Sequence, residues 1–136
     1  MEDKLIKVNQ IISRLEEIES EISVNIDLYD AVKIEDHARK VSSLIAESGS
    51  LLALSKKLKR EAIGSEIISK IRDLSNQILP ASIAKMQIDS AVNIYYYIED
   101  YSERMNTACT HRVNLCITLI SKYKEEMRLH NKANGQ

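Results

Sequence analysis

Polar side chains that could bind a small ligand cluster between residues 97 and 114. The candidates are Tyr97, Tyr101, Arg104, Thr107, Thr110, His111, Arg112 and Asn114. Many of them are separated by three, four or seven residues, which places side chains along one side of a helix. Aromatic rings stack on nucleobases, while Arg and Thr hydrogen-bond phosphate or sugar oxygens. The spacing therefore predicts a surface suited to an anionic, nucleotide-like ligand.

A structural interpretation of the same cluster stays open. A run of Thr, His and Asn can form a buried polar layer that fixes the register of packed helices. The tyrosines can equally belong to a core, with their hydroxyl groups at its rim. Sequence alone does not decide between a ligand site and a register layer.

A second candidate region interrupts an apolar stripe at Ser48, Gly49 and Ser55. Small residues let two helices approach closely, and they can also open a pocket beside the polar cluster. In the second case Ser48 would line the pocket, with Lys56 and Lys57 at its mouth. We expect no role for His37 and His130, which look like isolated exposed side chains.

Catalytic and cofactor signatures are absent from the sequence, which has no GxGxxG, P-loop, HExxH, CxxC or GxSxG motif. Cys109 and His111 are two residues apart on a predicted helix, so they point about 200° from each other and cannot form a nucleophile–base pair. Cys109 and Cys116 are two turns apart, roughly 10 Å, which is too far for an internal disulfide. We therefore expect a non-enzymatic protein with free thiols and with no cofactor or metal, in a reducing cytoplasm.

Composition favours a single all-α domain over residues 1–136. Pro80 is the only proline among 136 residues, which leaves few breakers for the turns of a β-rich fold. The net charge of −1 argues against a general nucleic-acid coat, because such binding depends on neutralising phosphates. No apolar run approaches the length of a membrane span.

Hydrophobic periodicity predicts an elongated bundle of long, coiled-coil-like helices. We predict a first helix over residues 5–26, which either continues through Val32 or bends between residues 27 and 36. A second helix is predicted over 36–62 with a stop at Gly64. A short helix over 66–77 and a turn over 78–82 around Pro80 follow. The last helix is expected to begin at Asp89 or Ser90 and to run to about His130, before a frayed tail over 130–136. So long a last helix exceeds what one small domain covers, so we expect a homo-oligomer.

Three segments resemble small helical proteins encoded by bacteriophages and prophages. They are residues 43–53 (SLIAESGSLLA), 110–114 (THRVN) and 121–124 (SKYK). The resemblance implies a viral accessory protein in the host cytoplasm, and such proteins often act by binding. We therefore expect sequestration of a nucleotide or cyclic-nucleotide immune signal. The alternatives are a helical bundle that engages a protein partner, and a nucleic-acid accessory protein that uses the basic stretch over residues 54–73.

Overall fold

Three α-helices account for nearly all of the residues that the structure describes. The computed structural model describes residues 2–76 and 79–135. Helix α1 spans Glu2–Ile22, α2 spans Ala31–Ser75 and α3 spans Ala81–Ala133. At 1.5 Å per residue, α2 and α3 are roughly 70 Å and 80 Å long. No strand occurs in the described ranges, so the all-α prediction is confirmed.

Helices α2 and α3 form a long antiparallel hairpin, and α1 packs against part of it. The pairing of the hairpin is fixed by contacts such as Ser55 with Ser102 and Arg112 with His37. Helix α1 runs parallel to α3, because Leu5 lies beside Tyr95 and the segment that follows α1 reaches Arg112. The result is a three-helix bundle in which α1 covers only the middle of the hairpin.

The core is mainly aliphatic, with Tyr95, Tyr101, Met105 and Cys109 as the other buried members of its cluster. From α1 it receives Val8, Ile11, Leu15 and Ile18, which repeat at spacings of three and four and are at most 2% exposed. They pack with buried side chains of α2 and α3 that include Val41, Leu44, Leu58, Val92, Ile98 and Cys109. Each buried aliphatic side chain contributes about 1.5–3 kcal/mol of transfer free energy. The attachment of α1 is therefore mainly hydrophobic.

Small polar residues form two layers inside the interface between α2 and α3. Ser55 and Ser102 are fully buried, and their Oγ atoms lie 3.1 Å apart. One turn from Ser102 on α3, Asn106 donates from Nδ2 to the Ile45 carbonyl and to Ser48 Oγ, each at 3.0 Å. Ser48 and Ser55 thus serve the close approach of two helices. The register layer of this bundle is built from these residues rather than from the Thr–His–Asn run.

The boundaries of the first two helices differ from the predicted ones. Helix α1 ends at Ile22 rather than Ile26, and local side-chain bonds organise the loop that follows. Asp27 Oδ1 accepts from the Tyr29 amide, and Asp30 caps α2 by accepting from the Lys33 amide. These bonds compete with the helix for the same backbone groups, so α1 stops before them and α2 begins at Ala31.

Helix α2 continues through Gly64, so the predicted stop there and the separate helix over 66–77 are wrong. A glycine inside a helix costs only about 1 kcal/mol relative to alanine. Packing against α3 on both sides of Gly64 offsets that cost, since Ala62 is buried and Ile67 lines a groove with α3. Gln77, the expected end of the short helix, lies outside the described residues.

Helix α3 begins at Ala81, eight residues before Asp89, so the predicted start is also wrong. Pro80 is its N-cap, with φ −61° and ψ 148°, and Asp89 and Ser90 lie inside the helix. The expected turn over 78–82 is therefore shorter, and Ile78 lies outside the described residues. The helix extends to Ala133, so most of the expected tail is helical. It ends where Gly135 adopts a positive φ of 74°. Gln136 lies outside the described part of the chain.

Candidate functional site

An open groove on α3 gathers four of the predicted ligand residues. Its lining consists of Tyr97, Asp100, Glu103, Arg104, Thr107, Ala108 and His111, and its volume is about 700 Å³. Tyr97, Arg104 and His111 are seven residues apart, so their side chains project from the same side of the helix. All three are exposed, and Tyr97 retains 45% of its accessible surface. All of the lining residues come from α3, so a ligand bound here would be contacted on one side only. Its other side would stay accessible to solvent or to a second molecule.

Two packed tyrosines position Arg104, the arginine of the groove. Tyr101 is buried, and its hydroxyl donates to the carboxylate of Glu19 on α1. The ring of Tyr97 meets Tyr101 edge-on at a centroid distance of 5.8 Å. The guanidinium carbon of Arg104 lies 5.6 Å from the Tyr101 ring centroid, within range of a cation–π contact. Tyr101 therefore positions Arg104 and Tyr97 and does not itself offer a free face for stacking.

The Tyr101 phenol stays protonated at any physiological pH. Burial, and then the hydrogen bond to Glu19, raise its pKa above the ordinary value for tyrosine. A protonated hydroxyl can donate to a carboxylate, so this contact fastens α3 to α1 beneath the groove. The groove therefore lies on a part of α3 that is attached to α1.

The charges around the groove are mixed. Arg104 is its one permanently cationic residue, whereas Asp100 and Glu103 place two carboxylates in the same lining. Within residues 2–76 and 79–135 no ion pair engages Arg104, so its donors face solvent. Such a surface suits a ligand that carries a single phosphate charge beside hydrogen-bond donors. A strongly polyanionic ligand would be repelled by the carboxylates.

A second concave surface adjoins the first and shares Ala108 and His111 with it. It is lined by Ile22, Ser23, Ala108, His111, Arg112 and Leu115, between the end of α1 and the face of α3. Arg112 is held there by two bonds. Its Nε donates to His37 Nε2 at 3.0 Å, and its Nη2 donates to the Val24 carbonyl at 2.6 Å. Arg112 thus borders the site, and part of its donor capacity is already used.

His37 is half-buried and bonded, so the expectation that it is an isolated exposed side chain is wrong. Desolvation, followed by the nearby positive charge of Arg112, lowers the pKa of His37. The neutral imidazole can accept the Arg112 hydrogen bond, which the protonated form cannot. This pair joins the first turns of α2 to α3.

Thr110 and Asn114 lie on exposed parts of α3 outside the groove lining. Thr110 Oγ1 donates to the Asn106 carbonyl at 3.1 Å, and the Asn114 carbonyl accepts from Thr118. These are bonds within one helix, so both residues remain accessible from solvent. Together with exposed Thr107 and His111 they show that, within one chain, the Thr–His–Asn run is not a buried layer.

The structure does not bring the α2 candidates to the groove. Ser48 is buried against Asn106, while Lys56 and Lys57 are exposed on α2. The groove faces away from α2, because Arg104 is two residues, or about 200°, from Ser102 at the hairpin interface. The spacing of residues along α3 predicts the groove, because all of its lining residues lie on that helix. Contacts between α2 and α3 depend on how the two helices pack, and the sequence pattern of one helix does not determine that packing. Asp100, Glu103 and Ala108 were missed, although their spacing from Arg104 and His111 could have indicated them.

The cysteines lie in the interior. Both thiols are free, and Cys109 and Cys116 are at most 1% exposed. Burial raises the pKa of each thiol, which keeps it protonated and poorly nucleophilic. Among the residues that the structure describes, no group of three or more His, Cys, Asp or Glu side chains is placed to hold a metal ion.

Comparison with known proteins does not assign a family. No protein-family model, no curated protein and no solved structure matches this chain. No helix within the described ranges combines the length and apolar character needed to cross a membrane.

Proposed function

We propose that this is a non-enzymatic binding protein that captures a small nucleotide-like anion in the α3 groove. The observation that carries the proposal is the convergence of Tyr97, Arg104, Thr107 and His111 on one concave surface. These groups supply an aromatic face, a cation, a hydroxyl and an imidazole, which are the groups that recognise a base, a phosphate and a sugar.

Each side chain has a distinct role in this proposal. The exposed ring of Tyr97 stacks on the base, and the guanidinium of Arg104 binds the phosphate. Thr107 and His111 hydrogen-bond the remaining phosphate or sugar oxygens. Asp100 and Glu103 accept hydrogen bonds from ribose hydroxyls or from an exocyclic amine of the base. The mixed charge favours a cyclic nucleotide, with one charge per phosphate, over a nucleoside triphosphate.

Sequestration is the activity that such a site supports. Binding alone removes a signal from solution, and it needs no nucleophile or general base. The resemblance of residues 43–53, 110–114 and 121–124 to phage-encoded proteins supports a host nucleotide signal as the cargo. We accordingly place the protein in the cytoplasm of an infected cell, where it would act against a nucleotide-based defence.

Calorimetric titration with cyclic mononucleotides, cyclic dinucleotides and ATP tests the proposal. We expect a cyclic nucleotide to bind, and Arg104→Ala to weaken binding at least tenfold because it removes a charged hydrogen bond. Arg128→Ala is the matched control, since Arg128 lies on the same helix, outside the groove, and its hydrogen bonds among the described residues are to Glu125. The proposal fails if none of these nucleotides binds at millimolar concentration, or if the two variants bind equally well.

A protein-binding role is the second candidate, and it rests on a different observation. Exposed apolar side chains are concentrated where the long helices extend past α1. Ile68, Ile71 and Met86 are 62%, 56% and 70% exposed near the hairpin tip. Patches of this kind mark interaction surfaces. Pull-down of a defined host protein by the wild type, and its loss in a variant with polar residues at these positions, would support this role.

A further inference from the structure

The tip of the hairpin is a two-helix arm that no third helix covers. We define the arm as residues 67–75 of α2 and 81–90 of α3. Helix α1 begins just below it, because Lys4 and Leu5 lie beside Ala62 and Tyr95. In a helical bundle the apolar face of each helix packs against a neighbouring helix. Here α1 does not extend towards the tip beyond its own first turn, so among the described residues the apolar faces of the arm have no third helix to pack against.

An apolar groove runs along one face of the arm. Its volume is about 350 Å³, and its lining includes Ile67, Ile71, Leu74, Ala81 and Ile88. Ile67, Ile71 and Leu74 are 40%, 56% and 36% exposed although they line this groove. Ile68 and Ile83 add exposed apolar surface elsewhere on the arm, at 62% and 43% exposure. Exposed apolar surface of this kind is typical of interaction sites.

The register of the hairpin relates the two sides of this groove. Ser55 contacts Ser102, and Lys59 forms an ion pair with Glu99. Continuing the same antiparallel register towards the tip places residues 70 and 71 of α2 level with residues 86 and 87 of α3. Ile67 and Leu74 lie symmetrically on either side of this level on α2. Lys85 and Asp89, which flank the groove, lie symmetrically about it on α3.

We propose that a second copy of this chain covers the groove, with the two arms packed antiparallel about a twofold axis at that level. A single twofold axis then pairs α2 with the α2 helix of the second copy and α3 with its α3 helix. Ile67 faces the partner's Leu74, and Lys85 faces the partner's Asp89, each contact occurring twice by symmetry. The arm becomes one half of a four-helix bundle.

Charge complementarity is what selects a second copy as the occupant. A twofold contact requires a surface that complements itself. Three charged residues line this groove: Lys70, Lys85 and Asp89. Lys70 already has Asp73 as a partner on its own helix at 3.9 Å, which leaves Lys85 and Asp89, four residues apart on α3, as the pair that can complement a second copy. No ion pair joins Lys85 to Asp89 within residues 2–76 and 79–135, so both charges are available to a partner. Tyr96, 45% exposed at the end of the groove, lies where the partner's hairpin tip would end.

Charge substitution combined with native mass spectrometry and sedimentation tests the proposal. We expect the wild type to be a dimer at micromolar concentration. Lys85→Glu and Asp89→Lys should each be monomeric, because each places like charges opposite one another. An equimolar mixture of the two variants should form a heterodimer, since one copy then carries two anions and the other two cations. The double variant K85E/D89K should dimerise with itself.

Two further variants separate loss of the interface from loss of the fold. Ile71→Lys places a charge near the axis and should abolish the dimer, whereas Met86→Lys alters an exposed residue of the arm outside the groove lining and should not. Circular dichroism should show native helix content for both. The inference is overturned if the wild type is a monomer at high micromolar concentration, or if the two charge variants do not associate on mixing. It is also overturned if Met86→Lys dissociates the dimer as Ile71→Lys does.

Discussion

Replacing Asn106 with alanine measures how much the polar layer contributes to the pairing of α2 with α3. The amide of Asn106 donates to the Ile45 carbonyl and to Ser48 Oγ, both on α2 and both at 3.0 Å. Ser48 Oγ keeps its own bond to the Ile45 carbonyl at 3.1 Å after the substitution. The partners on α2 are therefore not left as unsatisfied buried groups, and only the two bonds themselves are lost.

The expected destabilisation is about 1–2 kcal/mol. Each neutral hydrogen bond contributes about 0.5–1.5 kcal/mol net, so two contribute about 1–3 kcal/mol. Alanine favours the helix over asparagine by about 0.6 kcal/mol, which offsets part of the loss. The matched control is Thr110→Ala, one turn away, whose hydroxyl donates only within α3. We expect that variant to lie within about 0.5 kcal/mol of the wild type.

Urea unfolding followed by circular dichroism is the appropriate assay, at one fixed protein concentration because any self-association would raise the apparent stability. The slope of the unfolding free energy against urea concentration should be the same for the wild type and both variants, which would show that the substitutions leave the unfolded state unchanged. If Asn106→Ala is as stable as Thr110→Ala, the two bonds between helices contribute nothing. The assignment of Asn106 as a register residue would then be wrong.

Further predictions concern the core, a histidine and the thiols. Leu15→Ala, at a fully buried position, should lower the unfolding free energy by about 2–5 kcal/mol in the same urea assay, and a loss below about 1 kcal/mol would contradict the core assignment. Because the folded pKa of His37 is lowered, the unfolded chain binds more protons, so stability should fall as the pH drops from about 7.5 towards 5.5. His37→Gln should flatten this part of the stability profile, and an unchanged slope would refute the assignment. Thiol reagents should label Cys109 slowly in the native protein and rapidly in urea, whereas rapid native labelling would show that the thiol is accessible.

The helical class and the position of the hairpin turn follow from sequence for simple physical reasons. Apolar residues at spacings of three and four define one buried stripe, and Pro80 breaks the pattern between two long helices. Helix ends were predicted less well, because Gly64, Asp89 and Ser90 are end signals of about 1 kcal/mol each. Packing along the rest of the hairpin outweighs signals of that size.

The groove could be anticipated only in part. Tyr97, Arg104, Thr107 and His111 lie on one helix, so their spacing alone brings them together. Lys56 is on another helix, and its direction depends on how α2 is rotated against α3, which the pattern of one helix does not determine. Asn106 was overlooked as a register residue because a single asparagine in a helix has no distinctive spacing.

The regular spacing of small residues at the hairpin interface affects how uniquely α2 and α3 are aligned. Buried Ser48 and Ser55 are seven residues apart on α2, and buried Ser102, Cys109 and Cys116 are seven apart on α3. Sliding one helix past the other by two turns therefore exchanges small residues for small residues along this seam. Steric fit along this seam therefore distinguishes the two alignments weakly. The native alignment is set by the five residues that connect Ser75 to Ala81 and by contacts that do not repeat, such as the hydrogen bonds of the Asn106 amide. Removing that amide should weaken the preference for the native alignment as well as lower the stability.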